Sequence, residues 1–65
     1  MEIEIGKIYK HYKGNLYKVV AIARHSETDE EMVIYKSLKN DELWCRPKKM
    51  WFEKVNENTL RFSPY

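Results

Sequence analysis

Three consecutive residues, His25, Ser26 and Glu27, have the side-chain types of a hydrolytic triad. In such a triad an imidazole takes the hydroxyl proton and a carboxylate orients the imidazole. Their spacing argues against it. Consecutive side chains on an extended chain point to opposite faces, whereas a triad must converge within hydrogen-bond reach. The polar run from His25 to Glu31 predicts a structural junction instead. Ser26 and Thr28 are expected to bond the local backbone, and Glu27 to pair with Arg24 or Arg46. Thr28 and Glu31 also have the spacing of a capping box, which predicts a single turn leading into a strand.

Metal chemistry is no better supported. His11, His25 and Cys45 are the nitrogen and sulfur ligands, and none has zinc spacing. Asp29, Glu30 and Glu31 lack the alternation of a calcium loop and read as a solvated acidic turn. No metal and no cofactor is expected. Cys45 beside Arg46 invites a low-pKa thiolate. Strand alternation, however, puts the two on opposite faces. Cys45 shares parity with Leu43 and is expected to be a small core thiol.

Trp44 and Arg46 are the more informative pair. They lie two residues apart on one strand face, so the guanidinium can rest against the indole. Such a pair can receive a carboxylate, a phosphate or a base. The candidate ligand-binding set is Trp44, Arg46, His25, Tyr17 and Tyr35. The aromatic rings would stack, Arg46 would hold the anion, and His25 would tune the charge with pH. Arg24 is placed at the same rim, and Lys48 and Lys49 would add charge nearby. The competing reading makes Trp44 a core residue and pairs Arg46 with Glu27 or Glu31.

These residues need strands to position them. Glu2–Ile5 alternates charged and apolar residues after Met1 and predicts a short strand or extended arm. Lys13-Gly14-Asn15 is the strongest turn signal, since Gly and Asn tolerate positive φ, and it predicts a hairpin. Leu16–Arg24 is the longest strand candidate. Strict alternation places Tyr17, Val19, Ala21 and Ala23 on one face, with the alanines receiving something bulky such as a tryptophan. Met32–Leu38 is the next strand, and Lys39–Glu42 the next loop. Leu43–Arg46 is a short strand that Pro47 ends or places at an edge. Pro47 with Met50 and Trp51 predicts one helical turn over residues 47–52. Lys54–Val55 and Leu60–Phe62 are expected to close the chain as a hairpin.

Composition bounds the rest. The 65 residues predict one domain, residues 1–65, with no repeat or linker. A chain this short buries only about 60% of its unfolded surface. Nine aromatic residues must therefore supply much of the core. A lone cysteine allows no intrachain disulfide, which points to a reducing compartment. Residues 1–5 contain no apolar signal core, and no run approaches the ~20 apolar residues of a membrane helix. A cytoplasmic protein with no membrane association is expected. Residues 1–24 carry five basic and two acidic groups, residues 25–43 two and six, and residues 44–65 five and two. An acidic middle between basic flanks fits charge matching across adjacent strands. A basic surface for an acidic ligand is the alternative.

Three stretches carry a family likeness. They are His11-Tyr12-Lys13-Gly14-Asn15-Leu16-Tyr17-Lys18-Val19, Ala23–Thr28 with Glu31, Val33 and Tyr35, and Trp44-Cys45-Arg46-Pro47 with Met50. Over about residues 6–55 they resemble a small bacterial family, domain of unknown function sixteen fifty-three. The resemblance implies a small all-β, SH3-like roll and no established activity. Two positions depart from the family's pattern. Cys45 stands where an aliphatic residue is expected, so a cysteine mechanism is not a family property. Trp51 stands where Phe is more usual.

The sequence therefore predicts an all-β fold: a small SH3-like barrel or roll of five to six short antiparallel strands with one helical turn. An open sheet that dimerises is the alternative. A non-catalytic binding module is the expected function. Its partner would be a peptide, an acidic small molecule or single-stranded nucleic acid. A structural homodimer is the second reading, and an enzyme the least favoured.

Overall fold

The computed structural model describes residues 2–65, so Met1 and its part in the expected arm lie outside the described residues. Seven strands form: β1 (Ile8–His11), β2 (Leu16–Arg24), β3 (Glu31–Ser37), β4 (Leu43–Pro47), β5 (Lys54–Asn56), β6 (Thr59–Leu60) and β7 (Phe62–Pro64). One 3-10 turn, Lys48–Met50, joins β4 to β5, within the stretch where the Pro47 pattern predicted a helical turn. Five strands make one antiparallel sheet in the order β4-β3-β2-β1-β7, and β5 and β6 make a second. The fold is small and all-β. No helix among the described residues is long and apolar enough to cross a membrane.

The turns form where the sequence placed them. Gly14 sits at φ 107° in the β1–β2 turn, a backbone conformation open to a residue without Cβ. His11 N–H donates to the Asn15 carbonyl (2.8 Å) and closes that hairpin. Asp41, at φ 61°, turns the β3–β4 loop, and Asn40 Oδ1 accepts from Glu42 N–H (3.2 Å). Asn56 Oδ1 accepts from Asn58 N–H (2.9 Å) in the β5–β6 turn. The closing hairpin is shorter than expected. Phe62 leaves β6 and pairs with His11 of β1, which is why seven strands form rather than five or six. Residues 2–5 form no strand, although Ile3 packs against the core as an arm would.

One irregularity decides which residues enter the core. Val19 pairs with Tyr35, but Ala21, not Val20, pairs with Ile34. Val20 is the extra residue of a bulge, and it reverses the parity of the strand beyond it. Ile22 therefore joins Val33 on the core side. Ala21 and Ala23 face outward opposite Ile34 and Met32 and do not receive a tryptophan. Strict alternation placed them on the face of Tyr17 and Val19.

The core is Tyr9, Val19, Val33, Tyr35, Trp51 and Phe62, with Ile3, Tyr17, Ile22 and Phe52 packed against it. Trp51 is fully buried just after the 3-10 turn. Its ring stacks on Phe62 at 4.0 Å and meets Tyr35 and Tyr9 edge-on at 5.0 and 5.5 Å. Lys48–Glu31 (3.7 Å) and Lys49–Glu30 (3.0 Å) ion pairs tie the turn that carries it to the start of β3. Phe62 belongs to one edge strand of the sheet, yet it lies 5.6 Å from Tyr35 in β3. The sheet curls enough to bring its two edges over the same aromatic cluster.

Candidate functional site

Curling gathers a set of aromatic and cationic side chains at the margin of the core. Trp44 pairs with Tyr35, and Arg46 with Val33, so both side chains lie on the core side of β4. At the sheet edge, however, Trp44 remains 51% exposed. The guanidinium carbon of Arg46 stands 5.9 Å from the Phe62 ring centroid. Phe62, not the expected Trp44, is the ring against which it lies. Arg46 Nε is buried without a hydrogen-bond partner, and no ion pair of Arg46 is present among the described residues. Tyr17 is half-buried beside Phe62 (5.8 Å) and Tyr35 (5.3 Å). Tyr35 itself is buried, so it supports the site from below and offers no open ring face.

His25 does not join this group. It sits beyond the far end of β2, where its N–H donates to the Glu30 carbonyl (2.8 Å). Five residues along β3 separate Glu30 from Tyr35, which is roughly 16 Å at ~3.3 Å per residue. His25 Nδ1 accepts from the backbone N–H of Glu27 (3.1 Å) and Thr28 (3.4 Å), so the imidazole holds the turn. Thr28 Oγ1 accepts from Glu30 N–H (3.3 Å), and no helix follows for a capping box to cap. Ser26 makes no side-chain hydrogen bond among the described residues. Arg24 pairs with Asp29 (3.3 Å), not Glu27, and Glu31 pairs with Lys48, not Arg46. Lys48 and Lys49 are engaged by glutamates and add no unmatched charge at Arg46.

The imidazole at the site is His11, which the sequence reading did not place there. It packs edge-on to Phe62 (5.0 Å) and lies 6.2 Å from Tyr17. Its pKa is held below 6.5, first by burial and then by the charges of Arg61, Lys13 and Arg46. Arg61 was also missed. It lies 3.5 Å from Glu53, and its Nε too is buried without a partner. The available signal was the His11–Phe62 pairing of β1 with β7, which local alternation does not reveal.

Cys45 is exposed on the outer side of β4 opposite Ile34, where the sequence predicted a core thiol. Parity with Leu43 was right, but Leu43 is itself 64% exposed, because the two residues lie on the face of β4 opposite the core. No cluster of three or more metal-ligating side chains occurs among the described residues. Arg46 lines neither of two surface concavities. One is lined by Glu2, Ile3, Lys48 and Phe52, the other by Glu30, Glu31, Lys48 and Lys49. The second contains the two lysine–glutamate pairs, so its charges are already matched. Among the described residues Arg46 is the arginine without an ion pair, and it marks the site better than concavity does.

The sequence profile of a family described as a protein of unknown function (DUF1653) matches residues 7–64. The chain belongs to that family. The match reaches further towards the C-terminus than the resemblance over residues 6–55 and takes in Arg61 and Phe62. The chain is also similar to a crystal structure of a DUF1653 protein from Bordetella bronchiseptica. The identity is 33%, the TM-score 0.81, and the match covers 98% of this chain and 87% of the other. No curated protein matches. The solved relative shares the fold, and neither the family nor the relative has an activity attached to it.

Proposed function

We propose that the protein is a non-catalytic binding module that holds an acidic ligand at Arg46, with Trp44 and Tyr17 as flanking rings. One observation carries this reading. The Arg46 guanidinium is partly buried over Phe62, its Nε is shielded from water without an acceptor, and no carboxylate among the described residues pairs with it. A charged donor left in that state costs free energy, and an oxyanion that bonds it recovers the cost. Arg61 and Lys13 act on His11 together with Arg46, so the field at the site is positive. Exposed Trp44 offers a flat apolar surface beside the charge. An oxyanion next to a planar or apolar group is the ligand chemistry that fits. Single-stranded nucleic acid, an acidic peptide and a small acidic metabolite all present it.

Titration of the labelled protein by proton–nitrogen NMR with each of these tests the proposal. Shifts are expected at Trp44, Arg46, Tyr17 and His11, and Arg46→Gln should abolish them while the spectrum stays folded. Nucleic acid would show a steep loss of affinity with salt, because phosphate contacts release counterions. Binding that persists in Arg46→Gln would sink the assignment.

A further inference from the structure

β4 is an outer strand of the five-stranded sheet, and its side chains Leu43, Trp44 and Cys45 are all exposed. One hydrogen bond reveals which way its peptide groups point. Ser37 N–H donates to the Glu42 carbonyl (2.9 Å), continuing the register that sets Trp44 opposite Tyr35 and Arg46 opposite Val33. Peptide groups alternate sides along a strand, so the even-numbered residues of β4 bond β3. Leu43 and Cys45 then turn N–H and C=O outward. No backbone hydrogen bond from beyond β3 reaches β4 among the described residues. A free edge of this kind is a template for another strand.

The edge is complementary to itself. Set antiparallel against a second β4 with the two Trp44 residues opposite, it places Leu43 against Cys45 of the copy and Glu42 against Arg46 of the copy. Leu43 and Cys45 exchange both of their outward peptide hydrogen bonds, and symmetry repeats the exchange. The Trp44 pair falls at a non-hydrogen-bonded position, where Cα atoms approach to about 4.5 Å and side chains meet most closely. Glu42 Oε1 accepts from Asn40 Nδ2 (2.8 Å), and its other carboxylate oxygen supplies the acceptor that Arg46 lacks within its own chain. We infer that the protein associates with a second copy of itself through an antiparallel, two-fold pairing of β4 edges centred on Trp44.

A contact of one short strand belongs to the small, weak class of interfaces. The association is therefore concentration-dependent and reversible. It covers Trp44 and Arg46, so a bound anion and a second copy compete for one surface. The pairing itself follows from the edge geometry and does not depend on the ligand.

Sedimentation of the full chain from about 20 μM to about 1 mM tests the association, and two kinds of variant test its register. Glu42→Arg and Arg46→Glu should each weaken the dimer by about tenfold or more, and the double swap should restore it to within about threefold. Leu43→Cys, oxidised, should form a covalent dimer through Cys45 of the copy, since opposed residues have the Cα spacing a disulfide needs. Peptide mass mapping identifies the linkage. NMR spectra confirm that each variant is folded, and Glu42→Gln with Arg46→Gln replaces a swap that unfolds. A monomer throughout the range would overturn the inference. So would a dimer indifferent to both charges, or cross-linking confined to Cys45–Cys45.

Discussion

At the scale of single residues, His11 couples the candidate site to pH. Burial and three nearby cations hold its pKa below 6.5, so the fold favours neutral imidazole. The unfolded chain takes up the proton at higher pH than the fold does. The contribution to stability is thus complete above about pH 6.5 and is lost as pH falls through the lowered folded value. Urea denaturation of the protein and of His11→Gln between pH 7.5 and 5 should give curves that converge as pH falls. Parallel curves would count against a neutral His11 in the fold. An anion at Arg46 offsets part of the positive field, so binding should raise the His11 pKa, which imidazole NMR shifts report directly. Asp41 offers a backbone test at the same scale. It holds φ 61°, and its exposed carboxylate has only half-buried Lys36 as ion-pair partner, at 3.8 Å, a pair that contributes little. Asp41→Gly should be neutral or stabilising by a few tenths of a kcal/mol, while Asp41→Val should cost about 1–2 kcal/mol. Chemical denaturation separates the two.

Among the elements, β2 shows how one extra residue redirects a strand. The bulge at Val20 assigns Ile22 to the core and Ala21 to the outer face, the reverse of simple alternation. Ile22→Ala should therefore cost about 2 kcal/mol, while Ala21→Ser should stay under about 0.5 kcal/mol. Equal effects would mean that the register is uniform. The bulge also adds twist and bend, which helps the sheet curl until β4 and β7 share the aromatic cluster. At the far end, His25 and Thr28 use their side chains to tie the turn between β2 and β3. That role accounts for His25 and Thr28 in the polar run, where Glu27 contributes only its backbone N–H.

For the whole molecule, stability rests on a few large rings. A domain of this size has little stability to spare. Trp51 is fully buried between Tyr9, Tyr35 and Phe62. Trp51→Ala should cost about 3–5 kcal/mol and leave much of the chain unfolded at 25 °C, visible as collapse of NMR dispersion. The ion pairs matter far less. Their partners are mostly exposed, so about 1 M salt should change the unfolding free energy by less than about 1 kcal/mol. A larger change would give the Lys48 and Lys49 pairs a structural role.

Local sequence rules were enough for the all-β class, the turn at Gly14, the loop before β4 and a strand that ends at Pro47 on the sheet edge. Each follows from local rules of backbone freedom, donor loss and side-chain alternation. They also singled out Trp44 and Arg46 together. Long-range packing set which ring Arg46 meets, that Cys45 is outside, that His25 stands apart and that His11 and Arg61 act at the same site as Arg46. Those outcomes depend on a bulge that shifts parity, on which face of β4 meets the core, and on a curl that brings β7 over β3. All three are relations between distant segments, and no local pattern encodes them.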